Sequence, residues 1–338
     1  MSEHKTHKMH HDNTNHQTVP PTVLDLEPGS RADDWHQHTF GGGWIFHTAR
    51  VARTAWIGPH AVVAGHAEVL DNARVFGHAR VCGEACVRGN ARVLDHAVVD
   101  GKARVGDNAD VRDHACVLDN ARIGGEARIA GHARVNGKAV VTDRARVHDN
   151  AEVGGRAAVY GSAQVHGNAR VGDRAWIGQD AEVFGHARVF GAAVITDYAK
   201  VFDHARVFGH ARVAVSAFVA GRARVAGFAE VSGDAWVGGN ALVLDAAWVG
   251  GNAVVNESAQ VAGQAKVFGS AVVCGRAMVA GTAEVLDSAK VCEDAIICGA
   301  AEVCGRARVC GAAMVYGDAW VGGEARVGGS DRVYCNRG

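Results

Sequence analysis

The chain has 338 residues, and its 35 Lys and Arg against 36 Asp and Glu leave a formal net charge of −1, so no global charge draws it toward nucleic acid or membrane. No apolar run approaches the length of a membrane span, and no secretory signal is visible. The nine Cys are an odd number at spacings unlike a disulfide framework, which predicts a reducing, cytoplasmic compartment.

Residues 1–18 are polar and His-rich, with too little apolar content to fold alone, and are predicted to be a disordered tail. Its His4, His7, His10, His11 and His16 offer weak metal ligands, and read first as solvated side chains. Residues 19–48 hold most of the Pro, two Trp and a triple Gly, and read as an N-terminal cap. From 49 to 338 a six-residue word repeats without insertion or deletion. Ala occupies every sixth position from Ala49 to Ala325, 47 times, and the position two later is always Val or Ile. The position four later is Gly or Asp in 41 of the 47 words. Such a period excludes the disorder that abundant Gly otherwise signals.

In "A-R-V" the alternation of an extended chain points Ala and Val one way and Arg the other. The next three residues must turn, and Gly, Asp and Asn tolerate the left-handed backbone that a tight corner needs. Each word is therefore a very short strand and a corner, and stacked words bury Ala and Val in one continuous core. Each buried Val contributes roughly 1.5–3 kcal/mol.

Surface residues set the number of words per coil. His60, His78, His96, His114 and His132 recur every 18 positions, Asn150 and Asn168 continue that column, and His186 and His204 resume it. Arg170, Arg188, Arg206 and Arg224 share the spacing, as do Cys274, Cys292 and Cys310. Like residues stack at successive levels, which predicts 18 residues per coil: an all-β, three-sided parallel solenoid of about 16 coils. At ~4.8 Å per level the rod is roughly 75 Å long.

The word "V-F-G-H-A-R" resembles the hexapeptide repeat of left-handed parallel β-helices, the fold of the LpxA-like acyltransferases. Residues 41–63, "GGGWIFHTARVARTAWIGPHAVV", also resemble the start of the helix in YdcK-like bacterial proteins. Left-handedness is implied by this likeness and not by the spacing. The likeness also implies trimers, with an acyl- or acetyl-transferring His in a cleft between subunits, beside a loop that interrupts the repeat. No such loop interrupts this repeat, so no His is singled out and catalytic and cofactor-binding residues stay unassigned. No cofactor is expected.

The His60–His132 column reads as a ladder of stacked, neutral rings, and no metal is expected on it. Hexapeptide carbonic anhydrases use a close-spaced His pair, and Asp119 stands where a partner for His78 and His114 would be sought. Arg170, Arg188, Arg206 and Arg224 form an outward strip that can hold an anionic polymer. No aromatic interleaves these Arg, which argues against single-stranded nucleic acid. The Cys column reads as reduced thiols. After residue 210 the outward positions turn apolar: Phe218 and Trp236 in one column, Leu242, Met278, Ile296 and Met314 in a second, Trp248 in a third. Exposed apolar surface of this extent marks an interface, and predicts a homo-oligomer joined through the C-terminal half. The sequence thus describes a structural or binding rod that self-associates, with a hexapeptide-repeat acyltransferase as the alternative.

Overall fold

The computed structural model describes residues 18–335; the predicted tail, except for Thr18, lies outside them. From Trp44 onward the chain winds as a solenoid of short parallel strands. Each strand pairs with those one coil away: Arg92 is in register with Arg74 on one side and Asp110 on the other. Every third strand returns to the same sheet, so the rod has three walls. Wall 1 begins with Trp44–Phe46 and Val62–Val63, wall 2 with Arg50–Val51, wall 3 with Trp56–Ile57. Walls 2 and 3 hold 16 strands each, which gives the predicted coil number.

The inward Ala and Val of nearly every word are fully buried, and the residue between them faces out. The backbone amides of each word reach the next coil at constant register. Arg92 N–H donates to the Ala109 carbonyl at 2.9 Å, Leu94 to Val111 at 2.8 Å and His96 to Asp113 at 2.8 Å. At the corner one amide has no carbonyl to meet, and the Asp side chains resolve this. Asp95 Oδ2 accepts the Asp113 N–H at 3.2 Å, and Asp113 Oδ2 accepts the Gly131 N–H at 2.8 Å. The same pattern recurs along the rod, with Glu257 and Glu293 serving Gly275 and Gly311. Asp is therefore used twice: it tolerates positive φ, and its carboxylate satisfies a donor that would otherwise lack a partner.

The cap comprises a short helix, Pro21–Leu24, a single 3-10 turn, Ala32–Asp34, and a strand, Trp35–Gln37, that pairs antiparallel with Trp44–Phe46. It covers the first strand of wall 1 along its hydrogen-bonding edge and also on its outer side. Val23 and Trp35 pack there on Trp44 and Val62, whose outward side chains are consequently buried. The Phe40 carbonyl and the Gly43 N–H bond to Ile57, so the same segment closes the first edge of wall 3. At the far end Tyr316 stacks on Tyr334 between two four-residue strands, Met314–Gly317 and Arg332–Cys335. Asp331, in the Ala column, is exposed and accepts the Gly328 N–H at 3.2 Å. No helix of the described residues is long and apolar enough to cross a membrane.

Of the left-handed corners that are neither Gly nor Asp, namely Gln179, Val215, Glu257 and Glu293, Val215 alone is β-branched. Val215 has φ of 63°, a conformation that a β-branched residue adopts only under strain. Its N–H is satisfied by Asp197 Oδ2 at 3.0 Å, a bond that any residue with an amide can make. Val215→Gly should therefore raise stability by about 1 kcal/mol, the left-handed cost removed less the entropy that Gly adds to the unfolded chain. A higher guanidinium midpoint for the variant is the expected reading; a lower one shows that the corner is not strained.

Candidate functional site

Two features of the rod meet along the corner that joins wall 3 to wall 1. On the wall 1 side the predicted His column is a continuous stack from His60 to His132, with ring centroids 4.9–5.0 Å apart. His186 and His204 stack again further along, 4.9 Å apart. Beside them on wall 1 lie Arg170, Arg188, Arg206 and Arg224, all exposed and in direct register. Asn168, Arg170, His186, Arg188, His204 and Arg206 line a furrow of about 430 Å³.

Some cations of the rod are answered by an acid one coil away, while others, among them Arg104, Arg122, Arg128 and Arg146, form no ion pair among the described residues. Lys200 meets Glu182 at 3.0 Å, Lys266 meets Glu284 at 2.8 Å and Arg276 meets Asp294 at 2.7 Å. In the strip only Arg170 has such a partner, Glu152 at 3.8 Å; among the described residues Arg188, Arg206 and Arg224 form no ion pair. Uncompensated charges in register raise the local potential even where net charge is near zero. The strip also has an aromatic flank that the strand positions alone do not show. Phe208 lies at the next corner of the coil, and the Arg224 guanidinium sits 5.4 Å from its ring centroid.

The seven apolar residues predicted for self-association do not share one wall. Leu242, Met278, Ile296 and Met314 stand on wall 1, the wall of the Arg strip. Phe218 and Trp236 stand on wall 3, and Trp248 on wall 2. Trp236 packs against Phe218 and Phe202, with centroids 5.6 and 6.0 Å away. Trp248 meets Phe268 edge-on at 4.5 Å and donates its Nε1–H to Ser232 Oγ at 3.0 Å. These two indoles thus have partners within their own chain. The wall 1 column is bordered at its corner by Leu244, Ala262, Ala280 and Cys298, all half-buried, so it forms part of a broader apolar surface.

A third grouping went unnoticed in the sequence. On the wall 3 side of the same corner, His148 and His166 stack at 4.8 Å, and Phe184 and Phe202 extend the stack. Asp149, at the apex, lies 3.2 Å from His148 Nδ1 and 3.9 Å from His166 Nδ1. Its carboxyl is held below the usual carboxylate range, first by the Gly167 N–H and then by His148. Burial, helped by neighbouring His148, holds His166 below the ordinary imidazole value. The signal was available: His148 and His166 are 18 apart, and they occur at the levels where the other flank changes from His to Asn150 and Asn168.

All nine Cys are free thiols. Burial pushes the Cys82 thiol up to about 12, with Asp100 adding to the effect and Arg80 opposing it. Burial and then the Cys292 thiol push Cys274 up to about 12 as well. Thiolate is the reactive form, so both should resist alkylation near pH 8. Iodoacetamide should label the exposed Cys335 well before Cys82 and Cys274, as read by peptide mass spectrometry. Labelling of Cys82 at the rate of Cys335 contradicts this.

Comparison with known proteins returns the fold and little else. Residues 307–323 match the YdcK beta solenoid repeat. No curated protein sequence matches the chain. Solved structures that match include the UDP-N-acetylglucosamine acyltransferase of Francisella novicida, 17% identical, with a TM-score of 0.29 over 50% of this chain and 66% of that one. This chain is thus similar in repeat to the YdcK beta solenoid over residues 307–323.

Proposed function

We propose that the protein is a rigid binding rod that pairs with a second copy through the apolar half of wall 1 and presents the Arg half of that wall to an anionic polymer. The change of character along one wall, from Arg170–Arg224 to Leu242–Met314, carries this reading. The inward residues are the same Ala and Val in both halves, so the core does not demand the difference. A half-exposed apolar column, interrupted by Gln260, gains by being covered on a flat wall. If two copies ran parallel, their Arg strips would lie face to face and repel. Antiparallel pairing overlays the apolar halves and sends the Arg strips to opposite ends, an isologous two-fold arrangement. Among the described residues the repeat is uninterrupted, so the loop that borders the active site of hexapeptide acyltransferases has no counterpart here.

In velocity sedimentation at micromolar concentration the wild type should run as a dimer. Met278→Glu with Ile296→Glu should run as a monomer with an unchanged far-UV spectrum, because both side chains point outward. Trp236→Glu, on wall 3, should stay dimeric. A monomeric wild type ends this reading, and dissociation by Trp236→Glu alone moves the contact to another wall.

For the Arg half, long-chain polyphosphate is a suitable probe. Its binding should weaken steeply with added salt, because exposed charges act through a screened field. Arg188→Glu with Arg206→Glu should weaken it at least tenfold, measured by fluorescence anisotropy of a labelled polymer. Binding unaffected by the double substitution rules the strip out.

A further inference from the structure

The Asp at a corner of this solenoid normally has one task, to accept the N–H of the corner one coil on. Asp149 performs it, taking the Gly167 N–H on Oδ2 at 3.0 Å. At this corner, two imidazoles also turn a ring nitrogen toward the same carboxylate. Asp95 follows Leu94, Asp113 follows Arg112 and Asp203 follows Phe202; only Asp149, of the acidic apices on this edge, has His on the preceding position in its own coil and in the next. We propose that His148, Asp149 and His166 form a binding site for a divalent late transition-metal ion of the zinc, cobalt or nickel type.

The donor set selects that class. Two imidazole nitrogens and one carboxylate oxygen suit metals of borderline softness; calcium and magnesium prefer a shell of oxygens. The separations are close to what such an ion requires. Bonds of ~2.0–2.1 Å in tetrahedral array put donors roughly 3.3–3.5 Å apart. His148 Nδ1 stands 3.2 Å and His166 Nδ1 3.9 Å from the nearest Asp149 oxygen, and all three ligand atoms lie within 4.8 Å of one another. The rings are stacked face to face with 9° between their planes, so the two nitrogens must close toward each other. Opposed rotation of the two rings about their Cβ–Cγ bonds moves these nitrogens toward each other, and is the rearrangement that binding requires.

Two features prepare the site. The Gly167 N–H fixes the carboxylate in place. The Phe184 ring covers the far face of His166 at 5.1 Å and resists its swinging away. The three protein donors leave the remaining coordination positions open to water or to a small anionic or neutral ligand. The His60–His132 ladder lacks this arrangement, because among the described residues no carboxylate is grouped with two of its ring nitrogens.

Cobalt(II) is the probe of choice, since its visible absorption reports imidazole and carboxylate coordination directly. The full chain is titrated alongside three variants: His148→Phe with His166→Phe, Asp149→Asn, and His96→Ala with His114→Ala. Phe continues the stack already made by Phe184 and Phe202, and Asn retains an oxygen for the Gly167 N–H, so both changes should leave the fold intact by circular dichroism. The His-rich residues 1–18 are common to all four proteins, so their contribution cancels in the comparison. One tight equivalent of cobalt with absorption in the visible is expected for the wild type and for His96→Ala with His114→Ala. The Phe variant should lose that equivalent, and Asp149→Asn should bind it at least tenfold more weakly. Wild-type cobalt binding by the Phe variant or by Asp149→Asn overturns the assignment, as does loss of the tight equivalent on changing His96 and His114.

Discussion

Everything in this molecule depends on the amide-to-carbonyl ladder between coils. Each word offers its extended amides to carbonyls of the next coil, and those bonds form only when the next coil returns in phase. One extra residue would turn the inward Ala and Val of that strand to solvent and leave buried amides unpaired, since strand side chains alternate faces. All 47 words keep this phase without an insertion. The choice of Ala and Val follows from the ladder: neighbouring coils are only ~4.8 Å apart, and three walls close on a narrow interior that admits little more than a methyl and an isopropyl group per word.

Corners are where the ladder is incomplete. The backbone turns there by a left-handed residue whose own amide points at the adjacent corner. Gly makes the turn easily and leaves the amide of the next corner to solvent or to a neighbour; Asp makes it at some cost and supplies an acceptor. The mixture of Gly and Asp at this position is therefore a balance between conformational ease and hydrogen-bond satisfaction. Val215 provides neither and stands out for that reason.

How much of this could be read in the sequence varied with the range of the interaction. The coil, the walls and the buried faces follow from strict period and alternation, and Arg170 to Arg224 or His60 to His132 align as soon as the period is known. Contacts between neighbouring columns are harder, because they depend on how a corner aims its side chains. Phe208 reaches Arg224 from the next corner, and Asp149 reaches His148 and His166 across an apex. Neither is visible in a search for columns of like residues. A change of composition marks residues 19–48 in the sequence, but the use of Trp35 and Val23 to cover Trp44 and Val62 was not legible there, since an aperiodic segment carries no register.

The constancy of the step between coils has a consequence for how such a protein can change. Outward residues make no demand on the core, and each acts mainly on those one coil above and below. Inserting a further block of 18 residues between the Arg strip and the apolar column, which now meet at Arg224 and Leu242, would leave every buried contact of the same kind in place. It would also slide one surface relative to the other by a single level, ~4.8 Å. The rod is in that sense a ruler with fixed graduations: the distance between the Arg strip and the apolar column is a whole number of coils, adjustable by splicing and indifferent to the chemistry written on either side.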